Sequence, residues 1–184
     1  ETSLLAKTGT DQTVSRKTPK RGSALIDYVA EVDGTIYLNL QEALDAADNQ
    51  TVFMVRDVVQ DTPLIAAQGK TAVLDLNGKT LSLAAGGTRG LLTVYGELTV
   101  KDGATGGAID TTANTYSTAV NCKAGGKVTF ESGEMKASDQ STFIEVAGEV
   151  VVNGGTFGGV HSMYVFGDAA KATVNGGTFN GEIY

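Results

Sequence analysis

The side chains that could do chemistry in this sequence are mainly carboxylates. Asp75 and Asp102 stand near successive turns of a repeat, Glu131 and Glu134 near the next, and Glu145 and Glu149 on strand-like segments. A Ca²⁺-assisted lyase needs several carboxylates converging on the cation, with a basic residue to take a proton. A glycoside hydrolase needs two carboxyl groups on one face, about 5–9.5 Å apart. The acids here are dispersed rather than clustered, and no Arg follows Arg89 on the repeats, so each is expected to be an ordinary surface carboxylate. His161 is the only histidine and sits after Gly158-Gly159-Val160, with no Ser or Cys partner in view. Cys122, the only cysteine, lies in the apolar run Ala119–Cys122 and reads as a small buried hydrophobe, which leaves neither a disulfide framework nor a zinc motif. The Gly-rich turns match neither a Walker loop nor a strand–GxGxxG–helix unit. No catalytic residue, metal or cofactor is expected. Glycan contact would rest on exposed aromatics such as Tyr95, Tyr116 or Tyr164.

The elements that must position these residues are short strands. The chain has 184 residues, with 24 Gly, 2 Pro and no Trp, a mix that favours short strands and tight turns over helices. Internal repetition decides the architecture. Val152-Asn153-Gly154-Gly155-Thr156-Phe157 returns 22 residues later as Val174-Asn175-Gly176-Gly177-Thr178-Phe179. Weaker copies begin at Phe130, Val100 and Leu76, at separations of 22, 30 and 24 residues. Each unit runs strand, Gly turn, strand, Asn-Gly corner, very short strand.

Three short strands per unit predict an all-β fold, a right-handed parallel β-helix of five to six coils, with coils about 4.8 Å apart. Equivalent side chains then stack into ladders. Leu81, Met135, Phe157 and Phe179 are expected to form one inward stack, and Leu76, Val100, Phe130, Val152 and Val174 another. Asn77, Asn153 and Asn175 are expected to line one corner, where Gly154, Gly155, Gly176 and Gly177 permit unusual dihedrals. Residues 28–50 differ: Tyr28–Val32 and Thr35–Leu38 meet at Asp33-Gly34 like a hairpin. Leu40, Ala43, Leu44 and Ala47 then share one face of an amphipathic helix with Asn39 as N-cap. That helix is expected to cover the first coil, leaving residues 51–184 for the coils themselves.

The run Ala30-Glu31-Val32-Asp33-Gly34-Thr35-Ile36-Tyr37-Leu38-Asn39-Leu40-Gln41-Glu42-Ala43-Leu44-Asp45-Ala46-Ala47, together with Gly69-Lys70-Thr71-Ala72-Val73-Leu74-Asp75-Leu76-Asn77-Gly78-Lys79-Thr80-Leu81, resembles the pectate-lyase-like right-handed β-helix modules of large surface proteins from Gram-positive, often gut-dwelling, bacteria. The resemblance spans about residues 28–184 and implies a capped β-helix at the cell surface, often adhesin-like. Neither an LPxTG-type sorting motif nor an S-layer-homology repeat accompanies it.

Charge narrows the partners. The net charge of −7 divides into a basic segment, residues 1–27, carrying Lys7, Arg16, Lys17, Lys20 and Arg21, and an acidic body. An acidic body argues against nucleic acid. No apolar run reaches the roughly 20 residues of a membrane span. Glu1 opens a polar stretch with no signal-peptide core, as in a secreted chain after processing or in a trimmed chain. The last residues, Gly181–Tyr184, carry no polar cap, so the coil is expected to meet the remainder of a larger surface protein or a second copy stacked head to tail. The basic extension, with Leu4, Leu5 and Val14, would drape along a neighbour. The expected role is a non-enzymatic structural or adhesive module, extracellular and at a bacterial surface; the alternative is a polysaccharide-binding or polysaccharide-degrading β-helix.

Overall fold

The computed structural model describes residues 27–184. The basic extension, except for Asp27, lies outside the described residues together with its apolar spots. The described chain is a parallel β-solenoid of six coils, each contributing three strands. The first coil holds β3 (Gln50–Met54), β4 (Val58–Gln60) and β5 (Leu64–Ala66), preceded by the hairpin β1 (Ala30–Val32) and β2 (Thr35–Tyr37) and the helix α1 (Leu40–Ala46). The second holds β6 (Thr71–Asp75), β7 (Thr80–Leu83) and β8 (Gly90–Val94); the third β9 (Glu97–Lys101), β10 (Ala108–Asp110) and β11 (Thr118–Cys122). The fourth holds β12 (Lys127–Phe130), β13 (Glu134–Lys136) and β14 (Thr142–Val146). The fifth holds β15 (Glu149–Val152), β16 (Thr156–Phe157) and β17 (His161–Val165); the sixth β18 (Lys171–Val174), β19 (Thr178–Phe179) and β20 (Glu182–Ile183). Stacking gives three parallel sheets: A from β3 to β18, B from β4 to β19 and C from β5 to β20.

The first end is closed by residues that satisfy backbone rather than merely cover it. Asp33 and Gly34 both take positive φ, as a two-residue hairpin turn of this hand requires. The hairpin adds to sheet A in the antiparallel sense, through β1 on β3. Asn39 Oδ1 accepts from the Gln41 and Glu42 backbone N–H groups, starting α1, and Leu40, Ala43, Leu44 and Ala47 are buried beneath it. Gln41 then acts as a substitute strand for β5: its Oε1 accepts from Ile65 N at 2.7 Å and its Nε2 donates to Ile65 O at 3.0 Å. An edge strand paired in this way has lost its template for another chain. In the sixth coil, by contrast, Val174, Ile183 and Tyr184 are exposed.

The inward ladders follow the expectation with two corrections. The sheet B stack reads Val58, Leu81, Ile109, Met135, Phe157, Phe179, so Ile109 fills the coil whose long loop obscured it. In sheet A, Leu74 rather than Leu76 is level with Val100, Phe130, Val152 and Val174. The reason is the corner between β6 and β7, which is longer than the later Asn-Gly-Gly corners and turns through Asn77 and Gly78, both at positive φ. Asn77 therefore does not stand in the row of Asn153 and Asn175; Asp75, Lys101 and Glu131 precede them there. Leu76 is buried and fills the space beside Gly107 and Gly133. In the fourth and fifth coils Phe130, Phe143 and Phe157 meet edge to face at 5.3–6.2 Å, and Phe157 stacks on Phe179 at 4.9 Å.

The paired glycines of the regular corner have separate jobs. A Cβ on Gly154 would come within 2.4 Å of Glu131 O, and one on Gly176 within 2.5 Å of Asn153 O, so the first glycine admits the preceding coil's backbone. Gly155 and Gly177 instead supply φ of +102° and +95°.

Candidate functional site

The candidate carboxylates near the corners are occupied by structure. Asp75 is buried; its Oδ1 accepts from Asn77 N at 2.9 Å and from Gly103 N of the next coil at 2.8 Å, while Lys101 Nζ lies 3.3 Å from Oδ2. Asp102 returns the favour across the same step, accepting from Gly78 N of the preceding coil and from its own Gly107 N, both at 2.7 Å. Each carboxylate thus clamps the other's coil, with charge-assisted bonds to otherwise orphaned backbone donors. Farther along, Glu131 accepts from Asn153 Nδ2, and Asn153 Oδ1 accepts in turn from Asn175 Nδ2. These two asparagines therefore bond side chain to side chain, whereas Asn77 Nδ2 reaches the backbone at Met54 O. Glu134 pairs with Lys136 on its own strand at 3.0 Å.

On the outer face of sheet A, one row alternates in sign from coil to coil: Glu97, Lys127, Glu149, Lys171. Stacked identical charges would repel across a single strand spacing, and alternation turns that repulsion into attraction. Lys127 Nζ lies 2.9 Å from Glu149 Oε1. The bond to Lys127 holds the Glu149 carboxyl below its ordinary range, and the bond to Glu149 raises Lys127, with Glu97 and Lys171 adding in the same directions. The shallow groove beside this row is lined by the four charged residues with Gly125, Gly126, Ala147, Gly148 and Ala169, and holds no aromatic ring. Cys122 is buried behind it, its thiol pushed up by desolvation and donating to Glu149 O, so it is chemically quiet.

The outer face of sheet C is different. One row there reads Ile65, Thr93, Asn121, Glu145, Tyr164 and a second Gly90, Thr118, Thr142, His161, Glu182. At the fifth and sixth coils the small polar pattern gives way to rings. Tyr164 and Phe166 lie 5.7 Å apart at an interplanar angle of 26°, His161 stands 6.3 Å from Tyr164, and Tyr184 meets His161 edge-on at 4.9 Å. Tyr164, Phe166 and Tyr184 are 42 %, 41 % and 62 % exposed. Carboxylates border the rings. Glu145 accepts from Thr118 Oγ1 at 2.9 Å and Asn121 Nδ2 at 3.2 Å, leaving the buried Asn121 Oδ1 without a donor. Glu182 lies 3.8 Å from His161 Nε2 and raises Tyr184 through a hydrogen bond to its phenol.

Of the aromatics singled out in the sequence, only Tyr164 joins this patch. Tyr95 stands on the turn after β8, and Tyr116 sits at positive φ in a loop, its carbonyl accepting from Arg89 Nε. Phe166 and Tyr184 went unremarked; the signal was the Tyr-x-Phe spacing, which puts two rings on one side of a strand. Among the described residues, no group of three or more His, Cys, Asp or Glu is placed to hold a metal, and no helix is long and apolar enough to cross a membrane. No protein family, curated protein or solved structure matches the chain.

Proposed function

We propose that this chain is a non-enzymatic structural and adhesive module of an extracellular bacterial surface protein, a stiff solenoid that presents an outer face. The observation that carries the reading is the reciprocal clamp of Asp75 and Asp102, which commits the foremost catalytic candidates to backbone donors of neighbouring coils. A general acid or base needs its proton-carrying atom free to meet substrate. Glu131, Glu134, Glu145 and Glu149 are likewise engaged by neighbouring side chains. The bacterial surface enters through the resemblance carried by Ala30–Ala47 and Gly69–Leu81. The antiparallel hairpin on β3 and the Gln41 side chain on β5 occupy two of the three strand edges of the first coil, leaving only β4 unpaired on that side, which weighs against a head-to-tail filament. The favoured partner is therefore other parts of a larger surface protein.

The polysaccharide-binding reading has the ring patch of sheet C in its favour and is part of the adhesive role. Two measurements test the proposal. Antibody raised against the purified chain should label intact cells of the source organism, and labelling only after lysis overturns the surface assignment. Incubation with polygalacturonate and with galactomannan should release neither unsaturated nor reducing ends; release of either by the purified chain overturns the non-enzymatic assignment.

A further inference from the structure

Resting on the adhesive reading, we propose that the outer face of sheet C at the fifth coil, centred on Tyr164 and Phe166 with His161 and Tyr184 beside them, is a binding platform for neutral polysaccharide. The fold does not ask for these rings. The row of Tyr164 carries Thr93, Asn121 and Glu145 on the three preceding coils, and the row of Phe166 carries Lys123 and Ala147 on the two preceding coils, with Tyr95 one coil farther back, so on the nearest coils non-aromatic residues serve the same backbone positions. Leaving three rings about half exposed on one patch forgoes the burial that aromatic side chains ordinarily gain, and such patches mark interaction sites.

The chemistry of the surroundings selects the ligand. The near-parallel Tyr164 and Phe166 rings form a flat apolar shelf suited to the C–H face of a pyranose. Glu145, Glu182 and the Thr142 hydroxyl lie around it, and carboxylates are acceptors with lone pairs to spare for sugar hydroxyl donors. A protein partner of ordinary affinity would need a contact of about 1,000 Å² or more around buried anchors, whereas this shelf is a few rings rimmed by charge. Neither outward row holds a Lys or Arg. In the row of Phe166 the nearest cation is Lys123, two coils and about 10 Å away. With two carboxylates at the shelf and, among the described residues, no Lys or Arg in its rows nearer than Lys123, acidic polysaccharides such as pectate are repelled and neutral ones accepted.

Affinity electrophoresis of the full chain through gels containing galactomannan, xyloglucan, hydroxyethylcellulose or polygalacturonate tests this. The wild type should be retarded by at least one neutral polymer and not by polygalacturonate. The double variant Tyr164→Thr with Phe166→Ala introduces residue types the stack already uses at those rows, in Thr93 and Ala147, and should unfold at the wild-type temperature while losing at least tenfold in affinity. Glu145→Gln should weaken neutral binding less than the double variant and leave polygalacturonate unbound. Retardation of the wild type with undiminished retardation of a folded double variant overturns the platform and leaves the adhesive reading standing. Equal or stronger retardation by polygalacturonate overturns the ligand class. Retardation by none of the four polymers overturns both the platform and the adhesive reading.

Discussion

The outer faces of sheets A and C are built on the same six coils, yet they follow different rules. On sheet A the outward row is governed by its neighbours: Glu97, Lys127, Glu149 and Lys171 alternate so that each charge faces its opposite one coil away. On sheet C the outward rows are mostly polar through the fourth coil, Ile65, Tyr95 and Ala147 excepted, and at the fifth and sixth coils they gather the His161, Tyr164, Phe166 and Tyr184 patch. In a solenoid every side chain has near-identical neighbours above and below, so a row that serves stability shows a rule along the stack. The proposed platform is the departure at the fifth and sixth coils, where several exposed rings gather on one patch rather than standing singly like Phe53 on sheet A. The two faces separate what the stack needs from what it presents.

The largest way to break the comparison removes what both faces share. Phe157 is fully buried and touches Phe130, Phe143 and Phe179, so Phe157→Ala should cost about 3–5 kcal/mol. Both faces should be lost in one cooperative thermal transition; retention of glycan retardation by a molten core would separate binding from the stack. Asp75→Ala comes next. It removes the acceptor for Asn77 N and Gly103 N and strands Lys101, a loss of roughly 3 kcal/mol and, for a chain of this size, a fall in Tm of about 6–12 °C. A wild-type Tm in this variant would mean the clamp is idle and would return Asp75 to the list of residues free for chemistry.

The smallest effect belongs to sheet A. Lys127→Glu places three carboxylates in succession and should lower Tm by about 3 °C or less at low salt, because the row is solvent-exposed and screened. The sign of the salt effect is the sharper readout: added salt should weaken the wild-type ladder and relieve the variant. The pH window follows from the shifts. The Glu149 carboxyl is lowered in the folded chain, so its contribution is present above its unfolded value and fades as pH falls through the lowered one. Lys127 is raised, so its contribution is present below its unfolded value and fades as pH rises through the raised one. Between those limits the salt dependence of Tm should be greatest, and in acid it should vanish. Identical salt dependence in wild type and variant would leave sheet A without its rule.

Much of the fold was legible because each coil repeats its punctuation. The Asn-Gly-Gly corners at Asn153 and Asn175 fixed the period, and the Asn39 cap with Leu40, Ala43 and Leu44 announced the lid. Register in the second and third coils was harder. The longer corner through Asn77 and Gly78, and the loop before Ile109, displaced Leu76 and hid one rung, since a row is defined by hydrogen-bonded neighbours and loop length hides it in sequence. The alternating ladder was invisible for the same reason: its members are ordinary surface charges until the register sets them one above another. The ring patch was half legible. Tyr164 and His161 were in view, but Tyr184 reaches them only through the pairing of β20 with β17. The reciprocity of Asp75 and Asp102 likewise needs the stack, because each meets backbone donors of the neighbouring coil.

Hydroxyl-radical footprinting of the full chain, with and without the neutral polymer that retards it most, tests the division of the two faces directly. Tyr164 and Phe166 should lose oxidation when the polymer is added, while Phe53 on sheet A and the exposed loop residue Tyr116 should oxidise unchanged. Protection of Phe53 or Tyr116 with Tyr164 and Phe166 unaffected would contradict the account.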